Sequence, residues 1–224
     1  MTKGPWTKGL KESTKYMVNY EKLIAFDRVY NCVLAGVDEA GRGPWAGPVV
    51  AAAVILDPKK LDILMEIDDS KKIPEKKREL LFNIVIDASL SYAICEVSEI
   101  VIDKENILQA TLRAMSNAVE KLTIMPGLVL IDGTKCPDLP KFKSEAVVDG
   151  DARSLSIAAA SILAKVHRDR VMRNYDKMYP QYGFAKHKGY GTAEHMAALA
   201  KHGVCEIHRK SYKPVREVME KRLK

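Results

Sequence analysis

The chain has 224 residues, of which 47% are apolar and 29% charged, a composition that allows one sizeable core and excludes wholesale disorder. Its four cysteines lack the C-x-x-C spacing of zinc ribbons and thioredoxin-like motifs, so they are expected to be idle or buried thiols. The net charge is +7, and basic residues exceed acidic ones by nine within residues 165–224, which favours a phosphate-rich partner unless these side chains only solvate helices.

The apolar segments are too short to cross a membrane. The longest of them, at 48–56, falls far short of the roughly 20 residues that a membrane helix needs. The first sixteen residues also lack the apolar core of a secretory signal. We therefore expect a cytoplasmic protein with no membrane partner, and we expect it to be a monomer.

Residues 1–30 are predicted to form an N-terminal extension, and 31–224 the main domain. The extension carries apolar residues at helical spacing at 17–30. In the main domain, apolar runs and turn residues predict five strands, at 32–37, 48–56, 91–95, 128–131 and 146–148. Helical patterns lie at 74–86, 103–122, 156–178 and 192–202 and from residue 214. This order predicts an α/β fold with a mixed sheet and a helical C-terminal part.

Acidic residues follow three of the predicted strands. Asp38 and Glu39 come after the first, Asp132 after the fourth, and Asp149 and Asp151 after the fifth. Functional residues gather beyond the carboxyl ends of strands in open α/β sheets, and clustered carboxylates favour a divalent cation such as Mg²⁺ or Mn²⁺. The alternative is that each acid only caps a helix or ends a strand in solvent.

One difficulty attaches to the first acidic pair. Asp38 and Glu39 are adjacent, and neighbouring residues of a regular strand point to opposite faces of the sheet. Both carboxylates are expected to reach one site only if the strand ends or bends between them, as the nearby Gly41 would allow.

Three loops carry residues suited to a nucleic acid. Residues 41–47 combine glycines with an arginine, so their backbone could approach a ligand closely, although such a turn can also be only a turn. Residues 69–72 place a hydroxyl and two ammonium groups before a helix, either on a phosphate or as a cap with solvated lysines. Residues 184–192 interleave aromatic and basic side chains, which suits stacking beside phosphates. The five histidines show no metal-binding spacing and are expected to be packed or solvated.

In this order, six segments resemble the ribonuclease HII family, the bacterial type 2 ribonucleases H. They are 36–44 (GVDEAGRGP), 69–72 (DSKK), 131–133 (IDG), 150–151 (GD), 159–169 (AASILAKVHRD) and 187–192 (HKGYGT). The first is the most specific, and the resemblance covers roughly 33–215, leaving residues 1–30 outside it.

The resemblance implies a ribonuclease H-like fold, with a five-stranded mixed sheet flanked by helices. It also implies endonucleolytic cleavage of the RNA strand of RNA–DNA hybrids and of duplex DNA that contains a single ribonucleotide, with cleavage 5′ of the ribonucleotide. The products would be a 3′-hydroxyl and a 5′-phosphate, and the role would be removal of misincorporated ribonucleotides. Two divalent ions, Mn²⁺ or Mg²⁺, fit this chemistry, because a metal pair supplies both an activated water and a stabilised leaving oxygen.

By motif match, the resemblance assigns site residues. The catalytic and metal-binding residues would be Asp38, Glu39, Asp132 and Asp151. The substrate-binding residues would be Gly41, Arg42 and Gly43 at the ribose 2′-hydroxyl, Ser70 and Lys71 at phosphate, and Tyr190 stacked on the following deoxyribose. Asp149 matches no catalytic position, and Asp169 is interpreted as a supporting charge on a helix.

Two other functions remain open at this point. The basic C-terminal part would also suit a non-catalytic nucleic-acid-binding module, which predicts salt-sensitive binding without turnover. The carboxylates would also suit another metal-dependent phosphoryl-transfer enzyme on the same fold, for which plain DNA would be as good a substrate as DNA with a ribonucleotide.

Overall fold

The computed structural model describes residues 6–67 and 73–222, with side chains described from Met17 onwards. Its strands are β1 (Leu34–Ala40), β2 (Val49–Leu56), β3 (Ser89–Val97), β4 (Leu128–Asp132) and β5 (Ser144–Val147). Its helices are α1 (Trp6–Asp27), α2 (Glu75–Asp87), α3 (Glu99–Glu105), α4 (Ile107–Glu120), α5 (Leu155–Met178), α6 (Phe184–His187), α7 (Ala193–His202) and α8 (Lys213–Arg222). Among these helices, none is both long and apolar enough to cross a bilayer.

The five strands form one mixed sheet in the order β3-β2-β1-β4-β5, which confirms the predicted fold class. Strands β1, β2 and β3 form an antiparallel meander, whereas β4 and β5 run parallel to β1. Strand β1 therefore lies where the sheet changes from antiparallel to parallel pairing. From β1 the chain adds β2 and β3 on one side, and it then adds β4 and β5 on the other. The position between β1 and β4 is therefore a topological switch point, where a crevice opens beyond the strand ends of an α/β sheet.

All eight residues of β2 are apolar and buried, which shows that both faces of the sheet are covered. Alternate residues of β2 pack with helix α5 on one face and with helix α4 on the other. Helix α5 approaches β1 very closely at Gly36, where a Cβ atom would lie 2.1 Å from the carbonyl carbon of Ser156. The small residues at the start of α5 permit this contact.

Helix α1 packs on the main domain. Tyr20, Leu23 and Ile24 are buried in the same core cluster as α5 and β2. The Asp27 carboxylate accepts hydrogen bonds from the Ser156 backbone N–H at 2.9 Å and from the Ser156 hydroxyl at 2.7 Å, in the first turn of α5. Helix α1 thus contributes to the core and to the start of α5, while the division of the chain at residue 30 stays a prediction.

Apart from shifts of a few residues at the ends of elements, three differences between the observed and the predicted elements stand out. Strand β1 continues to Ala40, because its pairing with β2 runs as far as Ala40 and Val50. The helix predicted at 103–122 is two helices, since Asn106 has φ +70° and its side chain caps α4 by accepting from the N–H groups of Leu108 and Gln109. The segment 184–192, predicted as a loop, begins with the short helix α6.

Candidate active site

The carboxylates of β1 lie beside the open end of its pairing with β4. The last β1–β4 pair is Val37 with Ile131, whereas pairing with β2 continues through Asp38 and Glu39. Asp132 is the final residue of β4. A gap between the two parallel strands therefore begins where the three acids stand.

Three carboxylates converge at this gap. One oxygen from each of Asp38, Glu39 and Asp132 lies within 4.8 Å of the others. Asp38 is hydrogen-bonded to Ser161 of α5, and Glu39 pairs with Arg42 at 3.5 Å. Strand β1 does not end between Asp38 and Glu39, because its pairing with β2 continues in register through both residues. The two carboxylates nevertheless meet at one site, which answers the difficulty raised by their adjacency in the sequence.

The electrostatics of the three acids are unfavourable without a cation. Burial, followed by the charges of Glu39 and Asp132, raises the pKa of Asp38 well above its usual value. Burial and the charge of Asp132 also raise the pKa of Glu39, although Arg42 opposes this. A bound cation would offset both the burial and the repulsion between like charges.

Asp151 is not one of the carboxylates that lie within 4.8 Å of one another. It is only 7% exposed and belongs to the short 3-10 helix Gly150–Ala152. The N–H of the preceding residue, Gly150, donates to Asp132 Oδ1 at 2.7 Å, so this turn is fixed to the cluster. Asp149 is exposed and starts the turn with φ +52°.

The donor set fits a hard divalent cation. All three clustered groups are carboxylates, and Mg²⁺ and Mn²⁺ favour carboxylate oxygens, whereas softer metals favour sulfur and imidazole. Asp38, Glu39 and Asp132 would hold such an ion, with Asp151 at the margin of the same site.

The glycine loop after β1 is fixed by buried arginines. Gly41 has φ +99°, and a Cβ atom there would lie 2.0 Å from Arg168 Nε, so only glycine fits. Arg209, fully buried, donates to the carbonyls of Gly41 at 2.6 Å and Arg42 at 2.9 Å. The Tyr212 hydroxyl donates to the Arg42 carbonyl as well, at 2.7 Å. The backbone of this loop is therefore held in one shape.

Arg168 of α5 binds the second half of the same loop. Its guanidinium donates to the carbonyls of Pro48, Ala46 and Lys188, each at 3.0 Å, and the residue is 1% exposed. Burial, followed by the charge of Arg209, lowers the pKa of Arg168 to about 10, which leaves it charged at neutral pH. Three backbone acceptors thus take the place of a carboxylate partner.

Tyr190 lies beside Gly43. A Cβ atom built on Gly43 would be 3.6 Å from Tyr190 Cε1, and the tyrosine is 45% exposed. The Trp45 N–H donates to the Gly189 carbonyl at 2.8 Å, so the glycine loop and the tyrosine loop are joined through their backbones. The structure thus brings together Gly43 and Tyr190, which lie far apart in the sequence.

The predicted phosphate contacts Ser70 and Lys71 lie outside the described residues. Directly after them, the Ile73 carbonyl accepts a hydrogen bond from Arg78, whose guanidinium lies 3.5 Å from Asp169. Asp169 is buried and also binds Lys165 at 2.6 Å. Its supporting role is therefore that of a buried acceptor between α2 and α5.

Sequence reasoning missed the role of Arg168 and Arg209 as anchors. Arg168 lies inside a family-like segment, but the pattern gives no sign that a charged side chain is buried against carbonyls more than a hundred residues away. Arg209 lies in a basic stretch that could equally be a solvated surface. No local signal in the sequence distinguishes the two cases.

The chain matches known proteins over most of its length. A family model described as Ribonuclease HII matches residues 35–215. A ribonuclease HII of Methylibium petroleiphilum is 56% identical over 83% of this chain and 92% of its own length. One from Endomicrobium trichonymphae is 52% identical over 89% of this chain and 96% of its own length.

A solved structure shares the fold. The crystal structure of ribonuclease H2 from Pyrococcus horikoshii is 28% identical, with a TM-score of 0.70 over 85% of this chain and 99% of that one. The non-catalytic alternative loses its support, because the relatives that match over most of their length are named as ribonucleases. The chain belongs to the ribonuclease HII family and is an endoribonuclease of the ribonuclease H type.

Proposed function

We propose that the protein hydrolyses the RNA strand of RNA–DNA hybrids and also cuts duplex DNA 5′ of a single embedded ribonucleotide. The products are a 3′-hydroxyl and a 5′-phosphate, and the cellular role is removal of misincorporated ribonucleotides. The observation that carries the proposal is the pairing of a partly buried carboxylate cluster with a fixed glycine loop, joined by the contact between Glu39 and Arg42.

Asp38, Glu39, Asp132 and Asp151 would hold two divalent ions, Mg²⁺ or Mn²⁺, in this proposal. The chemistry that such a pair supplies is activation of a water molecule and neutralisation of charge on the leaving oxygen. The role of the protein is to supply oxygen ligands from fixed strands. Gly150 supports this role by orienting Asp132, and Ser161 by orienting Asp38. No histidine is needed as a general base.

The glycine loop reads the ribose. A 2′-hydroxyl both donates and accepts a hydrogen bond, and it is the group by which a protein distinguishes RNA from DNA at one nucleotide. Gly43 and Arg42 are exposed, and the Arg42 carbonyl is already held by Arg209 and Tyr212. The loop can therefore present backbone groups to a sugar without rearranging, which reduces the entropic cost of binding.

Tyr190 stacks on the deoxyribose that follows the ribonucleotide. Its exposed ring beside Gly43 places an apolar surface next to the ribose-reading backbone. Ser70 and Lys71 are proposed to bind phosphate, and the basic C-terminal part to contact the backbone of the duplex. The protein is proposed to act as a cytoplasmic monomer.

The test compares three duplexes: DNA with one ribonucleotide, a long RNA–DNA hybrid and plain DNA. With Mg²⁺ or Mn²⁺ we expect cleavage of the first two and none of the third, and excess EDTA should stop all cleavage. The cut ends should be extended by a DNA polymerase, which needs a 3′-hydroxyl, and should resist labelling by a kinase until treated with a phosphatase. Cleavage in excess EDTA would refute the metal-dependent mechanism.

The matched variants are Asp38→Asn and Asp149→Asn. Asp38→Asn should lower the single-turnover rate by at least about 100-fold while sparing duplex binding, because the metal contributes several kcal/mol to the transition state. Asp149→Asn should keep the wild-type rate, since Asp149 is exposed and asparagine tolerates its left-handed backbone. Equal cleavage of plain DNA would instead favour the broader phosphoryl-transfer enzyme.

A further inference from the structure

A chain of hydrogen bonds lies behind Tyr190, and no step proposed above uses it. His195 of α7 and His208 are both completely buried. Their Nε2 atoms are 3.0 Å apart. His195 Nδ1 lies 3.0 Å from the Tyr190 carbonyl, and His208 Nδ1 lies 2.9 Å from the Cys205 backbone nitrogen. These contacts link the C-terminal segment to the tyrosine loop.

The direction of the chain follows from its one unambiguous donor. The Cys205 backbone N–H can only donate, so His208 Nδ1 accepts and a neutral His208 carries its proton on Nε2. His208 Nε2–H then donates to His195 Nε2, which leaves the proton of His195 on Nδ1. His195 Nδ1–H in turn donates to the Tyr190 carbonyl.

The thiol of Cys205 is compatible with this direction. Its Sγ lies 3.1 Å from the same His208 Nδ1. Burial raises the pKa of Cys205 to about 11, so the thiol keeps its proton and can act as a second donor. Both groups of Cys205 therefore favour the same tautomer of His208.

The surroundings favour neutral rings. The His187 ring stacks on His195 at 4.5 Å, and the Tyr182 ring lies 5.0 Å from His208. Burial lowers the pKa of both His195 and His208 to about 4. His187 Nδ1 accepts from the Gly189 N–H at 3.2 Å, so its own proton lies on Nε2 and points to the Tyr182 carbonyl.

Three successive carbonyls of the tyrosine loop are bound by different parts of the fold. Arg168 binds the Lys188 carbonyl, and the Trp45 N–H binds that of Gly189. The Tyr190 carbonyl accepts from His195 and from the Thr192 N–H. Since Lys188 has φ +51° and Gly189 φ +82°, this backbone is held in a left-handed conformation that isolated chains disfavour.

We propose that His195 is a positioning residue: the relay from Cys205 through His208 and His195 holds the Tyr190 carbonyl, and thereby the ring against Gly43, in the position that turnover requires. The proposal rests on the proposed contact of Tyr190 with the substrate sugar. His195 itself touches no substrate in this arrangement, so its effect on catalysis passes through Tyr190.

The first test reads the tautomers directly and needs neither substrate nor variant. In long-range ¹H–¹⁵N spectra of the full-length protein at pH 7, His195 should show the Nδ1–H form and His208 the Nε2–H form. The Nδ1–H form is the less common one for a neutral histidine in water, so its observation is informative. An Nε2–H form for His195 would overturn the relay whatever the enzyme does.

The second test uses two variants that keep opposite halves of His195. His195→Asn retains an amide N–H near the position of Nδ1, whereas His195→Gln places its amide near Nε2 and loses the donor to Tyr190. We expect His195→Gln to lower turnover about three- to tenfold, as for one lost hydrogen bond, and His195→Asn to stay within about twofold of wild type. For the free energy of unfolding, we expect His195→Asn to be the less stable of the two variants. It leaves the buried His208 N–H without an acceptor, whereas the side-chain amide of His195→Gln can accept from it.

The third test asks whether His195 acts through Tyr190. In a Tyr190→Ala background, His195→Gln should cause no further loss of turnover, since the ring that it positions is gone. An equal loss in both backgrounds, or a greater loss of turnover for His195→Asn than for His195→Gln, would overturn the proposal. Full turnover of Tyr190→Ala alone would instead refute the sugar contact, while the tautomer spectra would still judge the relay.

Discussion

The two halves of the candidate site handle polar groups in opposite ways. At the ends of β1 and β4, three carboxylates lie within 4.8 Å of one another, and burial with like charge raises the pKa of Asp38 and Glu39. In the glycine and tyrosine loops, by contrast, carbonyl after carbonyl receives a hydrogen bond from Arg168, Arg209 or His195.

This difference separates two tasks. The acidic cluster keeps an unfavourable concentration of like charge despite its bonds to Ser161, Arg42 and Gly150, so a bound cation would stabilise it. The loops are complete without ligand, so their shape is available before a substrate arrives. Variants that disturb one half should therefore affect stability and metal response differently from variants that disturb the other.

The largest effect should come from breaking the loop half with Arg168→Met. Three buried carbonyls would lose their donor, and each orphaned group costs about 1–3 kcal/mol. We expect the unfolding free energy to fall by at least about 3 kcal/mol in urea denaturation. Arg113→Met is the matched control, because Arg113 is half exposed and pairs with Glu105 on the surface. A loss below about 1 kcal/mol for Arg168→Met would mean that the carbonyls find water instead.

The second-largest effect should be a loss of stability at acid pH in the glycine and tyrosine loops. His195 and His208 have a folded-state pKa of about 4 against 6.5 for a free side chain, so their contribution to stability is present above pH 6.5 and is lost as the pH falls towards 4. Each histidine should remove up to about 1.4 kcal/mol per pH unit across this range.

The measurement is the difference in unfolding free energy between wild type and His195→Asn, taken from pH 7 to pH 4.5. Carboxyls with a raised pKa, such as Asp38 and Glu39, change the unfolding free energy with pH in the opposite direction. They are present in both proteins, so their contribution cancels in the difference. Among the described residues, the titratable side chains that contact these two rings are His187, Tyr182 and Cys205. If the unfolding free energies of wild type and His195→Asn changed in parallel with pH, the prediction would be contradicted. His202→Asn is the control, because His202 is exposed.

A smaller effect, of opposite sign, should appear when the acidic half is neutralised. Asp132→Asn keeps the acceptor for the Gly150 N–H but removes one of three like charges. In EDTA the variant should be more stable than wild type by about 1 kcal/mol. Added Mn²⁺ should raise the melting temperature of the wild type more than that of the variant. A variant less stable in EDTA would show that the carboxylates do not repel one another.

The smallest effect is expected where the two halves meet. The Arg42 carbonyl accepts a hydrogen bond from Arg209 within the glycine loop, and the half-exposed Arg42 guanidinium pairs with Glu39 of the acidic cluster. Because the backbone anchor survives in Arg42→Ala, cleavage at neutral pH should fall no more than about fivefold. Without the arginine, the pKa of Glu39 should rise further, so the acid limb of the pH–rate profile should move to higher pH. Arg42→Lys should restore that limb, and an unshifted profile would contradict the assigned pair.

The structure brings Asp38 and Asp132 together through the parallel pairing of β1 with β4. The sequence predicts the mixed sheet and the position of both acids after strands, where functional residues gather in open α/β sheets. It does not predict how Glu39 joins them, which depends on β1 keeping β2 as a partner after losing β4. Nor does it predict the break at Asn106 or the burial of Arg209, since a side-chain cap and an arginine on distant carbonyls leave no periodic trace. The roles of the site residues stay predictions until the variants are measured.

Helix α5 has a geometric consequence for the spacing of the whole site. Ser161 reaches Asp38, and Arg168 reaches the glycine loop seven residues later. Seven residues are close to two helical turns, so both side chains leave the same side of the helix, about 10 Å apart along its axis. Helix α5 therefore sets the distance between the acidic cluster and the glycine loop. One residue inserted between the two positions would rotate them about 100° out of alignment, so the two halves of the candidate site would no longer be held by the same face of one helix.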